Sequence, residues 1–154
     1  NPGFNYRLDE IRASLGLSQL KRINSLNSKR FLASKYYSKQ LEEIPGIITP
    51  EIFRNKEHTY HLYIIRIKNE FGQNRDVVFK ELKKVGIHVS LHYKPLHRFS
   101  AYKNLTKTYG RLDNSEQIYK ESLSLPLYPS ISKKQQDLVI HNIEKYEGRR
   151  RSRY

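Results

Sequence analysis

The segment HTYHLYIIRIK (residues 58–68) decides the fold, because β-branched and aromatic residues occupy both of its faces. This composition predicts a buried strand. Two later segments also have strand patterns, IHVSLHY (87–93) and SLSLPLYPS (122–130). In the last of these, Pro126 and Pro129 cannot donate to a ladder of hydrogen bonds, so we expect it at the edge or end of a sheet.

Segment 87–93 alternates between apolar and polar residues, as a strand with one buried face does. Its apolar side, which we expect to face the core, consists of Ile87, Val89, Leu91 and Tyr93. Its polar side consists of His88, Ser90 and His92. This second side could line a cleft.

Helical patterns surround these segments. From Leu8 to Ile44, apolar residues recur every three or four positions, which predicts two helices or one kinked helix that stops at Pro45-Gly46. In the segment 72–86, Asn74 is the predicted N-cap and Gly86 the residue after the C-cap.

Two more helices are predicted from residue pairs at capping-box spacing, Asp113 with Glu116 and Ser132 with Gln135. The second of these helices carries apolar residues on one stripe, at Leu138, Val139, Ile143 and Tyr146.

These patterns predict an α/β (α+β) domain with a long N-terminal helix region and a small, about three-stranded sheet covered by helices. Consecutive strands could run parallel or antiparallel. We assign residues 1–147 to this domain and 148–154, GRRRSRY, to a basic tail that is either disordered or artificial in origin.

Composition narrows the class of protein. The 154 residues suit one domain, and 37% hydrophobic with 29% charged residues indicates a soluble, globular chain. No apolar run is long enough for a membrane span, and the absence of Cys excludes disulfides and thiolate chemistry. We therefore expect a cytoplasmic protein, without a membrane partner. The absence of Met suggests a piece of a longer chain.

The net charge of +14 favours anionic partners, such as nucleotides, phosphorylated small molecules or nucleic acid. Its simpler explanation is a solvated basic surface. Aromatic and basic residues in KRFLASKYYSK (29–39) could stack on nucleic acid, but Tyr36 and Tyr37 share helical spacing with Leu32 and Leu41, which favours the core.

Two clusters of residues could bind a ligand. Asn5, Tyr6 and Arg7 precede the first helix, and an Arg fork matches phosphate or carboxylate. A turn cap at Asn5 and a surface role for Arg7 are the alternative.

The second cluster, HYKPLH (92–97), lies where a strand passes into a loop, which is a common place for functional groups. Two ordinary turn histidines are the alternative. We expect no metal site, because His88 and His92 would lie about 13 Å apart on an extended strand.

Four blocks, in this order, carry a family resemblance: GFNYRLDEIRASLGLSQLKR, HTYHLYIIRI, GIHVSLHYKPLH and SLSLPLYPSIS. Together they closely resemble the C-terminal part of the DegT/DnrJ/StrS-type aminotransferases. These are fold-type I, pyridoxal-phosphate (PLP) enzymes that aminate keto groups on nucleotide-linked sugars for surface polysaccharides or glycans. The resemblance covers about residues 3–146.

The resemblance implies roles for particular residues in a homodimer. Asn5 would contact the cofactor phosphate bound to the partner subunit. Arg7, His92, Tyr93 and His97 would lie near the substrate, with His92 and Tyr93 approaching the nucleotide sugar. An amino acid, by family habit glutamate, would donate the amine.

The resemblance also implies what this chain does not supply. The Schiff-base lysine and most phosphate ligands belong to a preceding large domain in the family. We therefore expect the chain alone to contain no catalytic residue, to hold no PLP and to be inactive. The alternatives are a stand-alone basic module for anions or nucleic acid, and a sensory or regulatory domain on the same scaffold.

Overall fold

The computed structural model describes residues 4, 6–51, 57–103 and 110–148. They begin with two consecutive helices, α1 (Glu10–Leu20) and α2 (Ile23–Leu41). The break between the helices confirms the two-helix alternative. However, α2 ends four residues before Pro45, so this proline does not itself stop the helix.

Three short antiparallel strands form the sheet, in the spatial order β1 (Ile47–Ile48), β2 (Tyr63–Ile67) and β3 (Ser122–Leu125). Ile47 pairs with Ile67, and Tyr63 pairs with Leu125, so β2 is the central strand. The small three-stranded sheet is as predicted, and the pairing decides the strand direction that periodicity left open.

The strands differ from the predicted segments in extent. Segments 58–68 and 122–130 contribute only their parts in β2 and β3. Segment 87–93 was wrongly predicted as a full strand, because only Ser90 pairs, through an isolated bridge to Ser124. The third strand is instead β1, whose two residues are too short to show a pattern.

Four more helices follow in the described part of the chain: α3 (Arg75–Lys84), α4 (Ser100–Lys103), α5 (Asp113–Glu121) and α6 (Lys133–Glu144). Short 3-10 turns at Asn69–Phe71 and Leu96–Arg98 precede α3 and α4 respectively.

The capping predictions succeeded at two helices and failed at a third. The side chain of Asn74 accepts a hydrogen bond from the Val77 amide at 3.0 Å, and Ser132 with Gln135 forms the predicted capping box of α6. In contrast, Asp113 is the first residue of α5, with Leu112 at the cap position. The predicted capping box with Glu116 is therefore wrong.

The core lies between the sheet and helices α2, α3 and α6. Tyr37 of α2 stacks on Tyr63 of β2 with 5.2 Å between ring centroids, and both side chains are fully buried. Burial raises the pKa of both phenols. The core position predicted for Tyr37 is confirmed, whereas Leu138, predicted on the apolar stripe of α6, is 54% exposed.

Gly46 allows the turn between α2 and β1 to pass close to the chain at Phe71. Its φ of +77° lies in the left-handed region, and a Cβ atom there would be 2.1 Å from the Phe71 amide nitrogen. A side chain at this position would meet both backbone strain and a steric clash.

Helix α1 buries none of its own residues. Its apolar side chains are exposed on the described surface, at Ile11, Leu15, Leu17 and Leu20. Across the described residues, no helix combines the length and apolar character that crossing a membrane requires.

Candidate functional site

A groove of about 640 Å³ lies beside the point where the chain leaves the sheet after Ser90. One wall is the segment 91–96, which includes His92, Tyr93 and Lys94. The opposite side is formed by Arg75 at the start of α3, Ser122 of β3 and three residues of α5: Ser115, Ile118 and Tyr119. We call this cavity the groove.

His92 is fixed to the sheet from within the groove wall. Its Nδ1 atom lies 2.8 Å from the hydroxyl oxygen of Ser124, a buried residue of β3. Because one ring nitrogen is engaged with Ser124, the other nitrogen, Nε2, is the atom through which the half-buried imidazole can meet a ligand.

Tyr93 is 72% exposed, although the alternation pattern placed it on the core side. The pattern holds at Ile87 and Val89, which are buried, and at Leu91, which is half-buried against the core. It fails at Tyr93, three residues after Ser90, the last residue that pairs with the sheet. The Tyr93 ring packs edge-on against His92, with 4.7 Å between centroids. The structure therefore brings His92 and Tyr93 together in the groove.

His97 lies in the 3-10 turn that follows the groove wall, outside the residues that line the groove. Its Nε2 atom is 2.5 Å from the Glu116 carboxylate of α5. Arg98 donates to the same carboxylate from Nε at 2.8 Å and from Nη2. Hydrogen bonds from Arg98 and then His97 lower the pKa of Glu116 to about 2, so the carboxylate is ionised near neutral pH.

The two remaining candidates, Asn5 and Arg7, precede α1 in the sequence. Arg7 is exposed in the segment before α1 and is not among the residues that line the groove. Asn5 falls outside the described residues.

Arg75 is a groove residue that sequence reasoning missed. Only 5% of it is exposed, and its Nη1 atom donates to the Ser122 carbonyl at 3.0 Å. Its Nε atom lies 2.8 Å from an Asp76 carboxylate oxygen, but the N–H is poorly aligned for a hydrogen bond. We regard this as an ion pair. No motif marks a buried Arg in the first turn of a helix, so sequence offered no signal.

Tyr119 was also missed. The guanidinium carbons of Arg75 and Arg98 lie over its ring, 5.3 and 5.2 Å from the centroid. Distances of this size are typical of cation–π contacts. The position of Tyr119 one turn after Glu116 on α5 is the available sequence signal, but it identifies neither arginine.

A second cavity of about 570 Å³ lies between the first half of α2 and residues 57–60. Phe31 and Tyr60 lie on its wall, and none of the predicted site residues that the structure describes does. Among the described residues, no group of three or more His, Asp or Glu side chains could hold a metal ion.

The structure removes two of the three aromatic side chains of segment 29–39 from the nucleic-acid interpretation and leaves the third, Phe31, 40% exposed. Tyr37 is fully buried, and Tyr36 is half-buried with its hydroxyl donating to Asp137. Neither ring is free to stack on a base in the way that single-strand binding requires.

Known proteins are similar in sequence to most of this chain. UDP-4-amino-4,6-dideoxy-N-acetyl-beta-L-altrosamine transaminase of Campylobacter jejuni is 35% identical over 137 residues, which are 89% of this chain and 36% of the relative. Spore coat polysaccharide biosynthesis protein SpsC of Bacillus subtilis is 33% identical over 149 residues, 93% of this chain and 38% of the relative.

A solved aminotransferase structure has the same fold as this chain. Helicobacter pylori PseC, an aminotransferase involved in the biosynthesis of pseudoaminic acid, superposes with a TM-score of 0.84 at 29% identity. The superposition covers 96% of this chain and 39% of PseC. The chain thus spans less than two fifths of the length of each of these three proteins.

The family model described as the DegT/DnrJ/EryC1/StrS aminotransferase family matches residues 1–144. The match covers the groove, all five candidate residues and every strand of the sheet. The chain belongs to the DegT/DnrJ/EryC1/StrS aminotransferase family.

Proposed function

We propose that this chain is the C-terminal domain of a PLP-dependent aminotransferase that acts on keto groups of nucleotide-linked sugars. The observation that carries the proposal is the family match over residues 1–144. The names of two relatives, a UDP-sugar transaminase and a spore coat polysaccharide biosynthesis protein, support a role in surface polysaccharide or glycan precursors.

The groove is where this domain would meet the nucleotide sugar. His92 and Tyr93 supply a ring nitrogen and a phenol at its wall, and Arg75 and Lys94 add two cations to its lining. A nucleotide sugar carries a diphosphate, for which guanidinium, ammonium and imidazole groups are suitable donors. Arg7 would meet an anionic or polar part of the same substrate from the segment before α1.

We further propose that the described residues do not form a PLP site by themselves. Lys94, the lysine that lines the groove, is exposed to solvent. Asn5, the predicted phosphate ligand, lies outside the described residues. PLP would supply the amine-transfer chemistry from the large domain of the full enzyme, and this chain would supply ligands to the partner subunit's site.

A homodimer would explain the apolar side chains that α1 leaves exposed. Ile11 is 83% exposed and Leu15 is 61% exposed, and a contiguous exposed apolar surface is typical of an interface. We further propose a cytoplasmic location, in keeping with a nucleotide-sugar substrate.

The test uses the full-length protein to which this chain belongs, with PLP, glutamate and UDP-linked keto sugars as substrates. His92→Ala should raise KM for the sugar nucleotide about tenfold, the loss expected for one hydrogen bond to a charged group. The matched control is His88→Ala, which removes an exposed histidine four residues earlier and should leave KM unchanged.

Two results would count against the proposal. One is a full-length protein that transfers no amine to any keto sugar nucleotide. The other is a steeply salt-dependent complex with RNA or DNA at physiological ionic strength, which would favour the basic binding module instead.

A further inference from the structure

Helix α5 contacts the turn after the groove wall through two residues one helical turn apart. The carboxylate of Glu116 binds both His97 and Arg98, and the ring of Tyr119 lies under the guanidinium of Arg98 at 5.2 Å. Residues three apart on a helix share a face, so both contacts hold the same turn, Leu96–Arg98.

Helix α5 is itself fixed to the sheet. Glu121, at its last turn, accepts from Nε of Arg66 at 2.9 Å and from Nζ of Lys68 at 3.0 Å. Arg66 belongs to the central strand β2, so the helix that holds the turn is anchored to the sheet.

The groove wall is therefore held at both ends. At its start, Ser90 pairs with Ser124, and the His92 ring bonds to the Ser124 hydroxyl. At its end, His97 and Arg98 bind Glu116. Only residues 93–96 lie between His92 and His97, and five extended Cα–Cα steps span at most about 18 Å. A chain this short has little freedom once both ends are fixed.

The contacts of Glu116 also reduce its repulsion of an anionic ligand in the groove. A carboxylate close to the groove would repel an anionic ligand, but here Arg98 and His97 surround it with hydrogen-bond donors.

We propose that Glu116 and Tyr119 are positioning residues, which keep the 91–96 wall in the shape that presents His92 and Tyr93 to the nucleotide diphosphate. We call the contacts of Glu116 with His97 and Arg98, and of Tyr119 with Arg98, the tether. His97 is part of the tether through its contact with Glu116 and does not itself contact the substrate. The identity of the ligand rests on the proposed function, whereas the tether rests on the contacts of α5 alone.

The experiment measures amide hydrogen exchange and uridine diphosphate (UDP) binding on the 154-residue chain by NMR. Glu116→Gln and Tyr119→Leu should each accelerate exchange across residues 92–98 about tenfold and weaken UDP binding about fivefold. Tyr119→Phe keeps the ring that the guanidinium groups contact and should restore wild-type values of both quantities.

Glu81→Gln is the matched control. Its carboxylate pairs with Lys84 at 2.7 Å on α3, away from the groove lining, and this variant should change neither quantity. A selective change in the His97 imidazole nitrogen shifts of Glu116→Gln, with His88 unchanged, would show that the effect acts through the tether rather than through general loss of stability.

The outcomes separate the two proposals. Unchanged exchange at residues 92–98 in both Glu116→Gln and Tyr119→Leu overturns the tether, whether or not UDP binds. Faster exchange in a chain that does not bind UDP supports the tether and contradicts the proposed ligand.

Discussion

Replacing Ser124 with Ala removes the hydroxyl that lies 2.8 Å from Nδ1 of His92. The substitution deletes one oxygen from a side chain in β3 that is 4% exposed. The backbone pairing of Ser124 with Ser90 does not involve the hydroxyl and should survive. The variant therefore isolates the contact that orients the imidazole in the groove.

The magnitude follows from the burial of the two partners. A neutral hydrogen bond contributes about 1 kcal/mol net, and the full desolvation penalty applies only when the remaining partner is buried. His92 is half-buried, so its Nδ1 can turn to water, and the loss in the free energy of unfolding should be about 1 kcal/mol. For a chain of this size, that lowers Tm by about 2–4 °C.

UDP binding should weaken by a similar free energy, because UDP must fix the orientation of a His92 ring that Ser124 no longer holds. A cost of about 1 kcal/mol corresponds to about fivefold in Kd for UDP. The assays are thermal unfolding and an NMR titration with UDP. Ser34→Ala is the control, because it removes a hydroxyl that donates to the Phe31 carbonyl at 2.8 Å from a buried serine of α2 that does not line the groove.

Wild-type UDP affinity in Ser124→Ala, together with unchanged chemical shifts of the His92 ring, would show that the serine does not orient the imidazole. Equal losses of UDP affinity in Ser124→Ala and Ser34→Ala would show that removing any buried serine hydroxyl disturbs the groove. Either result would contradict the role given to this hydrogen bond.

Two further predictions concern stability. The native pKa of Glu116, about 2, lies below the ordinary 4.5, so its stabilising contribution is present above about pH 4.5 and is lost as pH falls toward 2. Acid titration of unfolding should show a smaller loss over this range in Glu116→Gln than in the wild type, and identical curves would contradict the shift. Gly46→Ala combines a left-handed φ with a clash against Phe71 and should cost at least about 2 kcal/mol in urea unfolding. Gly16→Ala, in open space on α1, is the control and should not lower the free energy of unfolding. A Gly46→Ala variant that is destabilised no more than Gly16→Ala would contradict the packing argument.

Sequence patterns predicted the elements that depend on local interactions. The capping box of α6 needs only Ser132 and Gln135, which are three residues apart, and it forms as predicted. Asp113 and Glu116 have the same spacing, but Glu116 binds His97 and Arg98, which lie 19 and 18 residues away in the chain. A charge-assisted contact of this kind is stronger than a cap and leaves no local pattern.

In the groove, too, local patterns predicted some features and long-range contacts decided the others. Alternation correctly predicted that Ile87 and Val89 are buried, because a period of two requires only an extended chain. It could not predict that pairing stops at Ser90, which exposes Tyr93 and opens the groove wall. The place of the HYKPLH block at the end of a predicted strand made His92 and Tyr93 candidates, and the family resemblance gave them a role.

An amide chemical-shift map of the wild-type chain with UDP tests most directly whether this domain presents a nucleotide-sugar site. We predict that the largest shifts fall on the groove wall, residues 91–96, and on Tyr119 across from it. Shifts confined to the second cavity, near Phe31 and Tyr60, or no shifts up to about 10 mM UDP, would contradict the claim that this domain presents a nucleotide-sugar site.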